Sequence, residues 1–206
     1  NDYARRFINM VGEWRKRWNM GNLPFYYVEI APFEYWWVKQ PYWSCVLREQ
    51  QLKAQSMLPN MGMVCTNDLV HDYEYWQIHP CMKKDIGDRL CFWALAKTYG
   101  VKGVACKNPT YKSMRIENNK VVVTFNNATE GFNRNVKIEG FEICGPDSVF
   151  HKANVGVNGN NVTVQSTEVK QPVAVRYCYK SFAIGNLKSV YGLPVVPFRT
   201  DDFPIK

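Results

Sequence analysis

The chain has 206 residues, of which 46% are hydrophobic and 21% charged, and its formal net charge is +8. This composition is typical of a folded globular protein and excludes a disordered one. No apolar run reaches the roughly 18 residues that span a bilayer, and the basic residues are too dispersed for a nucleic-acid interface. The sequence therefore predicts neither a membrane nor a nucleic acid as a partner.

The first hundred residues alternate helical and strand patterns. Apolar residues recur at helical spacing in three stretches, 3–18, 46–57 and 80–99. Two short apolar runs typical of buried strands lie between them, 23–32 and 61–66. Strands that alternate with helices indicate a parallel, three-layer α/β arrangement for residues 1–105.

After Cys106 the pattern changes to short strands that are bounded by turn residues. The predicted strands are 121–125, 141–144, 155–157, 161–164 and 173–177. Asn158-Gly159-Asn160 is typical of a tight hairpin turn. Because no helical stretch separates these strands, residues 106–206 are predicted to form an antiparallel β-sandwich domain.

Among the three histidines, His79 has the most informative context. It stands in Ile78-His79-Pro80, after a polar loop and before the third predicted helix. Proline suits the first turn of a helix, where its missing N–H is not needed, so the imidazole is predicted to sit at a helix start. Loops between strands and helices often carry catalytic groups, and an imidazole titrates near neutral pH. His79 is therefore a candidate general base, or a histidine that only caps the helix, whereas His71 and His151 are interpreted as surface or structural residues.

A matching nucleophile is missing from the sequence. None of the seven serines lies in a Gly-x-Ser-x-Gly setting, which would expose its hydroxyl on a tight turn. The seven cysteines lie in no activating context and include no Cys-x-x-Cys pair, so neither a thiol nucleophile nor a metal site is predicted. The residues offer a base without a nucleophile, and they suggest no cofactor.

Eight stretches of the chain resemble the sialate O-acetylesterases and related carbohydrate acetylesterases of the SGNH hydrolase superfamily. The strongest of them runs from Ile78 to Leu90 and includes the His-Pro pair. The stretches follow one another in the family's order, at 21–32, 47–51, 59–64, 78–90, 93–100, 140–145, 172–177 and 192–201. The resemblance implies the C-terminal part of a three-layer, flavodoxin-like SGNH hydrolase domain, followed by a β-sandwich.

The resemblance also implies a function. Enzymes of this family remove acetyl groups from sugar hydroxyls by a Ser-His(-Asp) mechanism, and their His-Pro histidine corresponds to His79. The family's serine motif lies upstream of Asn1, so an upstream segment or a second chain is expected to supply the nucleophile. The expected substrate is an O-acetylated carbohydrate, with O-acetylated sialic acid as the first candidate.

The sequence offers three candidates for the group that orients His79. SGNH enzymes often place an aspartate three residues before the histidine, but Trp76 occupies that position here. Asp68 matches an acidic position in this branch of the family and is the first choice, while Asp72 and a backbone carbonyl are the alternatives. Arg199 is predicted to pair with Asp201 or Asp202, although it could also approach an acidic sugar.

Two further questions stay open in the sequence. A non-catalytic carbohydrate-binding protein, which would use the β-sandwich and its aromatic side chains, is the alternative to the esterase. The compartment is not determined by any targeting signal, and a secreted, periplasmic or lysosomal location is favoured over the cytoplasm.

Overall fold

The computed structural model of the protein describes residues 2–39, 42–133 and 136–204. Its first half contains three helices, α1 (Tyr3–Trp18), α2 (Trp43–Gln55) and α3 (Lys83–Trp93), and two strands, β1 (Phe25–Val28) and β2 (Met61–Val64). A single 3₁₀ turn (Asp72–Glu74) precedes α3, and a π-helical turn (Ala94–Thr98) extends it. Within the described residues, no helix combines the length and apolarity needed to cross a membrane.

The two strands of the first half are parallel, as their alternation with helices predicts, and they pair in register from Phe25 with Met61 to Val28 with Val64. Helices cover both faces of this pair. On one face, Val11 of α1 and Leu52 of α2 pack with Met63, and on the other face Trp93 of α3 packs with Val64. Both faces are therefore buried, as expected for parallel strands.

In the described part of the second half, eight strands form two antiparallel sheets. The strands are β3 (Thr110–Glu117), β4 (Lys120–Asn126), β5 (Phe141–Cys144), β6 (Phe150–Lys152), β7 (Asn154–Asn158), β8 (Asn161–Gln165), β9 (Ala174–Tyr177) and β10 (Phe198–Arg199). One sheet has the order β3-β4-β8-β7 and the other β10-β9-β5-β6. Val123 and Val164 from the first sheet share one hydrophobic core with Phe141 and Tyr177 from the second.

The hairpin predicted at Asn158-Gly159-Asn160 is confirmed. Asn158 pairs with Asn161 across a two-residue turn, and Gly159 has a φ of +58°. A positive φ at this position suits the tight turns that join antiparallel strands. The sequence pattern did not predict β3, β6 or β10.

The predicted start of the third helix is wrong. The helix begins at Lys83 rather than Pro80, so His79 and Pro80 lie in the loop before it. The physical reason is a competing set of hydrogen bonds, in which the buried Glu74 carboxylate accepts the backbone N–H of Cys81 at 2.8 Å. This bond ties Cys81 to the loop and delays the helix by one turn.

Candidate active site

The candidate site lies on the loop that joins the C-terminal end of β2 to α3. Glu74, which is only 4% exposed, closes this loop on itself. Its Oε2 accepts the N–H of His71 at 2.9 Å and its Oε1 accepts the N–H of Cys81 at 2.8 Å. The N–H of His71, and after it that of Cys81, lowers the pKa of the Glu74 carboxyl, although desolvation opposes them. A negative charge that is fixed by backbone donors therefore holds both ends of the segment that carries His79.

His79 is exposed on this closed segment. Its backbone N–H donates to Oε1 of Gln77 at 3.2 Å, while the neighbouring Pro80 is buried. The backbone beneath the imidazole is thus anchored, and its ring is accessible. The ring can therefore be reached by a substrate or by a second polypeptide.

Asp68 lies in the same loop, but its described contacts are with two basic residues and not with His79. Its carboxylate is 2% exposed and forms a two-point ion pair with Arg89 of α3, at 2.8 Å and 2.7 Å. Lys188 from the second half of the chain approaches the same carboxylate at 2.6 Å. Among the described residues, no hydrogen bond joins Asp68 or Asp72 to His79.

Most of the seven serines are withdrawn from solvent. Four of them, Ser44, Ser166, Ser181 and Ser189, are buried. No serine in the described part of the chain forms a hydrogen bond with His79. Burial also raises the pKa of the Cys45 thiol to about 11 and that of Cys178 to about 12, which keeps both protonated and poorly nucleophilic at neutral pH.

Exposed aromatic and aliphatic side chains flank His79. Tyr75, Trp76 and Ile78 are each more than half exposed, as are Trp36 and Trp37. The backbone N–H of Glu34 donates to the carbonyl of Tyr75 at 2.8 Å, so the segment before Trp36 lies against the His79 loop. We call these five side chains the aromatic surface. Exposed apolar side chains that form a patch are typical of an interaction site.

The outer edge of β1 is open, whereas that of β2 is capped. The N–H of Phe25 donates to the carbonyl of Asn60, just before β2, at 2.8 Å, and the N–H of Glu29 donates to the carbonyl of Val64 in β2, at 2.9 Å. The backbone groups of Tyr26 and Val28 therefore point to the opposite edge. No hydrogen bond among the described residues reaches them there. On β2, by contrast, the outward carbonyl of Met63 accepts the indole N–H of Trp93 at 3.2 Å.

A separate cavity of about 910 Å³ lies between the two halves of the chain. Its wall includes the aromatic rings of Tyr26 and Tyr111 and three lysines, Lys53, Lys97 and Lys107. No ion pair to these lysines exists among the described residues. The sequence pattern did not predict this cavity, because its wall combines residues that are more than 140 positions apart.

Two other expectations can be compared with the structure. Arg199 binds Glu49 at 3.0 Å and approaches Asp201 only at 3.9 Å, so its main partner was not predicted. Glu74 was also missed, and the only signal for it in the sequence is a single acidic residue inside the aromatic run Tyr73-Glu74-Tyr75-Trp76.

No protein-family model matches the chain, and no curated protein sequence matches it. Among solved structures, it is similar to a carbohydrate acetylesterase from Xanthomonas citri, XAC1771. The sequences are 32% identical and the TM-score is 0.87, over 98% of this chain and 46% of the other. The chain thus matches the fold of part of a carbohydrate acetylesterase and spans about half of its length.

Proposed function

We propose that this chain is part of a carbohydrate O-acetylesterase in which His79 acts as the general base. The observation that carries the proposal is the similarity to XAC1771, which extends over 98% of the chain at 32% identity. The exposed position of His79 on an anchored loop, at the C-terminal end of a parallel strand, supports the same function. In open α/β sheets this end of the strands is where ligands bind.

In the proposed mechanism, His79 removes the proton from a serine hydroxyl as the serine attacks the acetyl carbonyl. The imidazolium then protonates the departing sugar oxygen, and His79 next activates the water that releases acetate. This mechanism belongs to the SGNH hydrolases, and O-acetylated sialic acid is the first candidate substrate. Asp68 is the proposed third member of the catalytic triad, the group that orients His79, with Asp72 or a backbone carbonyl as alternatives. Since Asp68 binds Arg89 and Lys188 here, it would reach His79 only after a rearrangement of the loop.

The serine is proposed to come from polypeptide outside these 206 residues. Three features of the described chain support this: no serine is bonded to His79, the aromatic surface is exposed beside it, and the edge of β1 is open. An added strand at that edge would pair with the free backbone groups of Tyr26 and Val28. The aromatic surface would then be covered by the same polypeptide.

The test uses the complete enzyme, in which this chain is joined or bound to the serine-bearing polypeptide. Acetate release is measured on O-acetylated sialic acid and on an acetylated plant polysaccharide. We expect His79→Ala to lower kcat by about 100- to 10,000-fold, because general acid–base catalysis contributes that much. His151→Ala is the matched control and should retain activity. His151 lies on β6 in the second half of the chain, outside the His79 loop, and pairs with Glu168 at 3.0 Å.

Two results would contradict the proposal. Full activity of His79→Ala would exclude the catalytic role of this histidine. Acetate release by the 206-residue chain alone would exclude a serine supplied from outside it.

The second candidate function is carbohydrate binding without catalysis. The cavity between the halves favours it, because aromatic rings and amide side chains such as Asn108 and Asn127 line its wall, and these groups suit sugar rings and hydroxyls. Glycan binding by the chain, combined with no acetate release from any assembly that contains it, would support this function over the esterase.

A further inference from the structure

Three potential metal ligands converge within the His79 loop. His71, Glu74 and Cys81 each place one ligand atom within 4.8 Å of the other two. They come from the two ends of a closed segment, with His71 before the 3₁₀ turn, Glu74 in it, and Cys81 after Pro80. The fold of the loop therefore brings together the side chains of residues that are up to ten positions apart in the sequence.

The convergence is fixed by the backbone and by ring packing. The Glu74 carboxylate accepts the N–H groups of both His71 and Cys81, at 2.9 Å and 2.8 Å. The imidazole of His71 stacks on the ring of Tyr73, with 5.1 Å between centroids and 9° between planes. Each carboxylate oxygen that accepts one N–H keeps a further lone pair for another partner. The three ligand groups are thus held near each other before any ion arrives.

The combination of donors selects a class of ion. A thiolate, an imidazole nitrogen and a carboxylate oxygen are the ligands of zinc, at about 2.0–2.3 Å in a tetrahedron. Calcium and magnesium prefer oxygen ligands alone. Three protein ligands leave the fourth position to water, and the exposed side chains of His71 and Cys81 can rotate to shorten the remaining separations.

We propose that His71, Glu74 and Cys81 form a binding site for a divalent cation of the zinc class. The ion would join both ends of the segment that carries His79, and so hold that segment more firmly than Glu74 does alone. This inference goes beyond the proposed esterase function and does not depend on it.

The experiment is a titration of the reduced, metal-free 206-residue chain with Co²⁺. Co²⁺ binds at zinc sites, and its absorption spectrum identifies the ligand atoms. We expect one Co²⁺ per chain, a visible d–d band, a near-ultraviolet band from thiolate-to-cobalt charge transfer, and loss of both on addition of Zn²⁺. Cys81→Ser should abolish the charge-transfer band. His71→Ala should weaken binding by at least about tenfold, since even groups that only orient a ligand contribute that much.

Cys91→Ser is the matched control, because Cys81 and Cys91 are the two exposed cysteines of the chain. Its spectrum should equal that of the unaltered chain, and circular dichroism should show that all variants are folded. A charge-transfer band that survives in Cys81→Ser would overturn the proposal, as would the absence of any such band in the unaltered chain. None of these measurements uses acetate release. A failure of the metal-site proposal can therefore be distinguished from a failure of the proposed esterase function.

Discussion

Glu29 is a buried carboxyl at the end of β1, and its hydrogen-bonding capacity is only partly used. The side chain is 1% exposed. Its Oε2 accepts the N–H of Thr66 at 3.2 Å, but its Oε1 has no hydrogen-bond partner among the described residues. Burial raises the pKa of Glu29 above its ordinary value of 4.5, and the charge of Arg48 and a hydrogen bond from Cys65 only partly oppose this effect.

A raised pKa makes the contribution of Glu29 to stability depend on pH. The folded state holds the proton more tightly than the unfolded state, so this contribution is complete below pH 4.5 and is lost as the pH rises through the folded pKa. Glu29→Gln is neutral at every pH. We expect it to increase the free energy of unfolding at pH 7, by about 1.4 kcal/mol for each unit by which folding raises the pKa of Glu29, and to change it less near pH 4.5.

Urea unfolding of both proteins between pH 4.5 and pH 7 measures this difference. The exposed Glu13→Gln on α1 is the control and should change the free energy of unfolding little at either pH. A difference between Glu29→Gln and the unaltered chain that stays constant with pH would contradict the expectation.

At the scale of elements, the contact between β2 and α3 explains why the parallel pair is closed on one side and open on the other. The indole of Trp93 lies directly over Gly62, and its N–H caps the carbonyl of Met63. Because glycine has no Cβ, the ring can approach the strand closely. The result is a protected outer edge on β2, which leaves the edge of β1 as the side where the sheet can grow.

We expect Gly62→Ala to destabilise the protein. The added Cβ would lie 2.5 Å from Cδ2 of Trp93, and overpacking of this kind typically costs about 1–3 kcal/mol. Gly12→Ala in α1 is the matched control, because no atom outside its own helix lies within 4 Å of the added Cβ. The control should stabilise the protein by about 0.5–1 kcal/mol through helix propensity, and equal stabilities of the two variants in thermal or urea unfolding would contradict this account.

At the scale of the whole molecule, single charged side chains join the two halves. Arg48 of α2 donates to the carbonyl of Ser181 at 3.1 Å, and Lys188 reaches back to Asp68 at 2.6 Å. The N–H of Gly185 also donates to the carbonyl of Asn67, at 3.0 Å. The contacts of Asn67 and Asp68 hold the start of the His79 loop against the second half, so its position depends on residues more than 100 positions away.

Asp68→Asn tests this connection. The substitution removes the charge that neutralises Arg89 and Lys188, and loss of one partner of a buried ion pair costs about 3–5 kcal/mol. We expect a decrease of that size in the free energy of unfolding. Asp88→Asn, in the exposed pair with Lys84, should cost no more than about 1 kcal/mol. Equal effects of the two substitutions on urea unfolding would show that the Asp68 cluster does not join the halves.

Local periodicity was sufficient to predict most elements, and its failures have local causes. Helix α1 is found at the predicted residues, because apolar side chains recur at helical spacing over residues 3–18. Strand β3 was missed, because a register shift between Tyr111 and Ser113 interrupts its alternation. Strand β10 has only two residues, too few to show any pattern.

The sequence by itself predicted three helices, the parallel pair of strands and five of the eight described antiparallel strands, since each depends on neighbours within a few positions. It also indicated His79 as the candidate base. That these strands form a separate β-sandwich domain, with a boundary near residue 105, stays a prediction from that pattern. Only the tertiary structure decided where the third helix begins, which residues hold Asp68, and that His71, Glu74 and Cys81 meet at one point. These features depend on hydrogen bonds and ion pairs whose geometry requires the folded loop, and no periodicity along the chain encodes them.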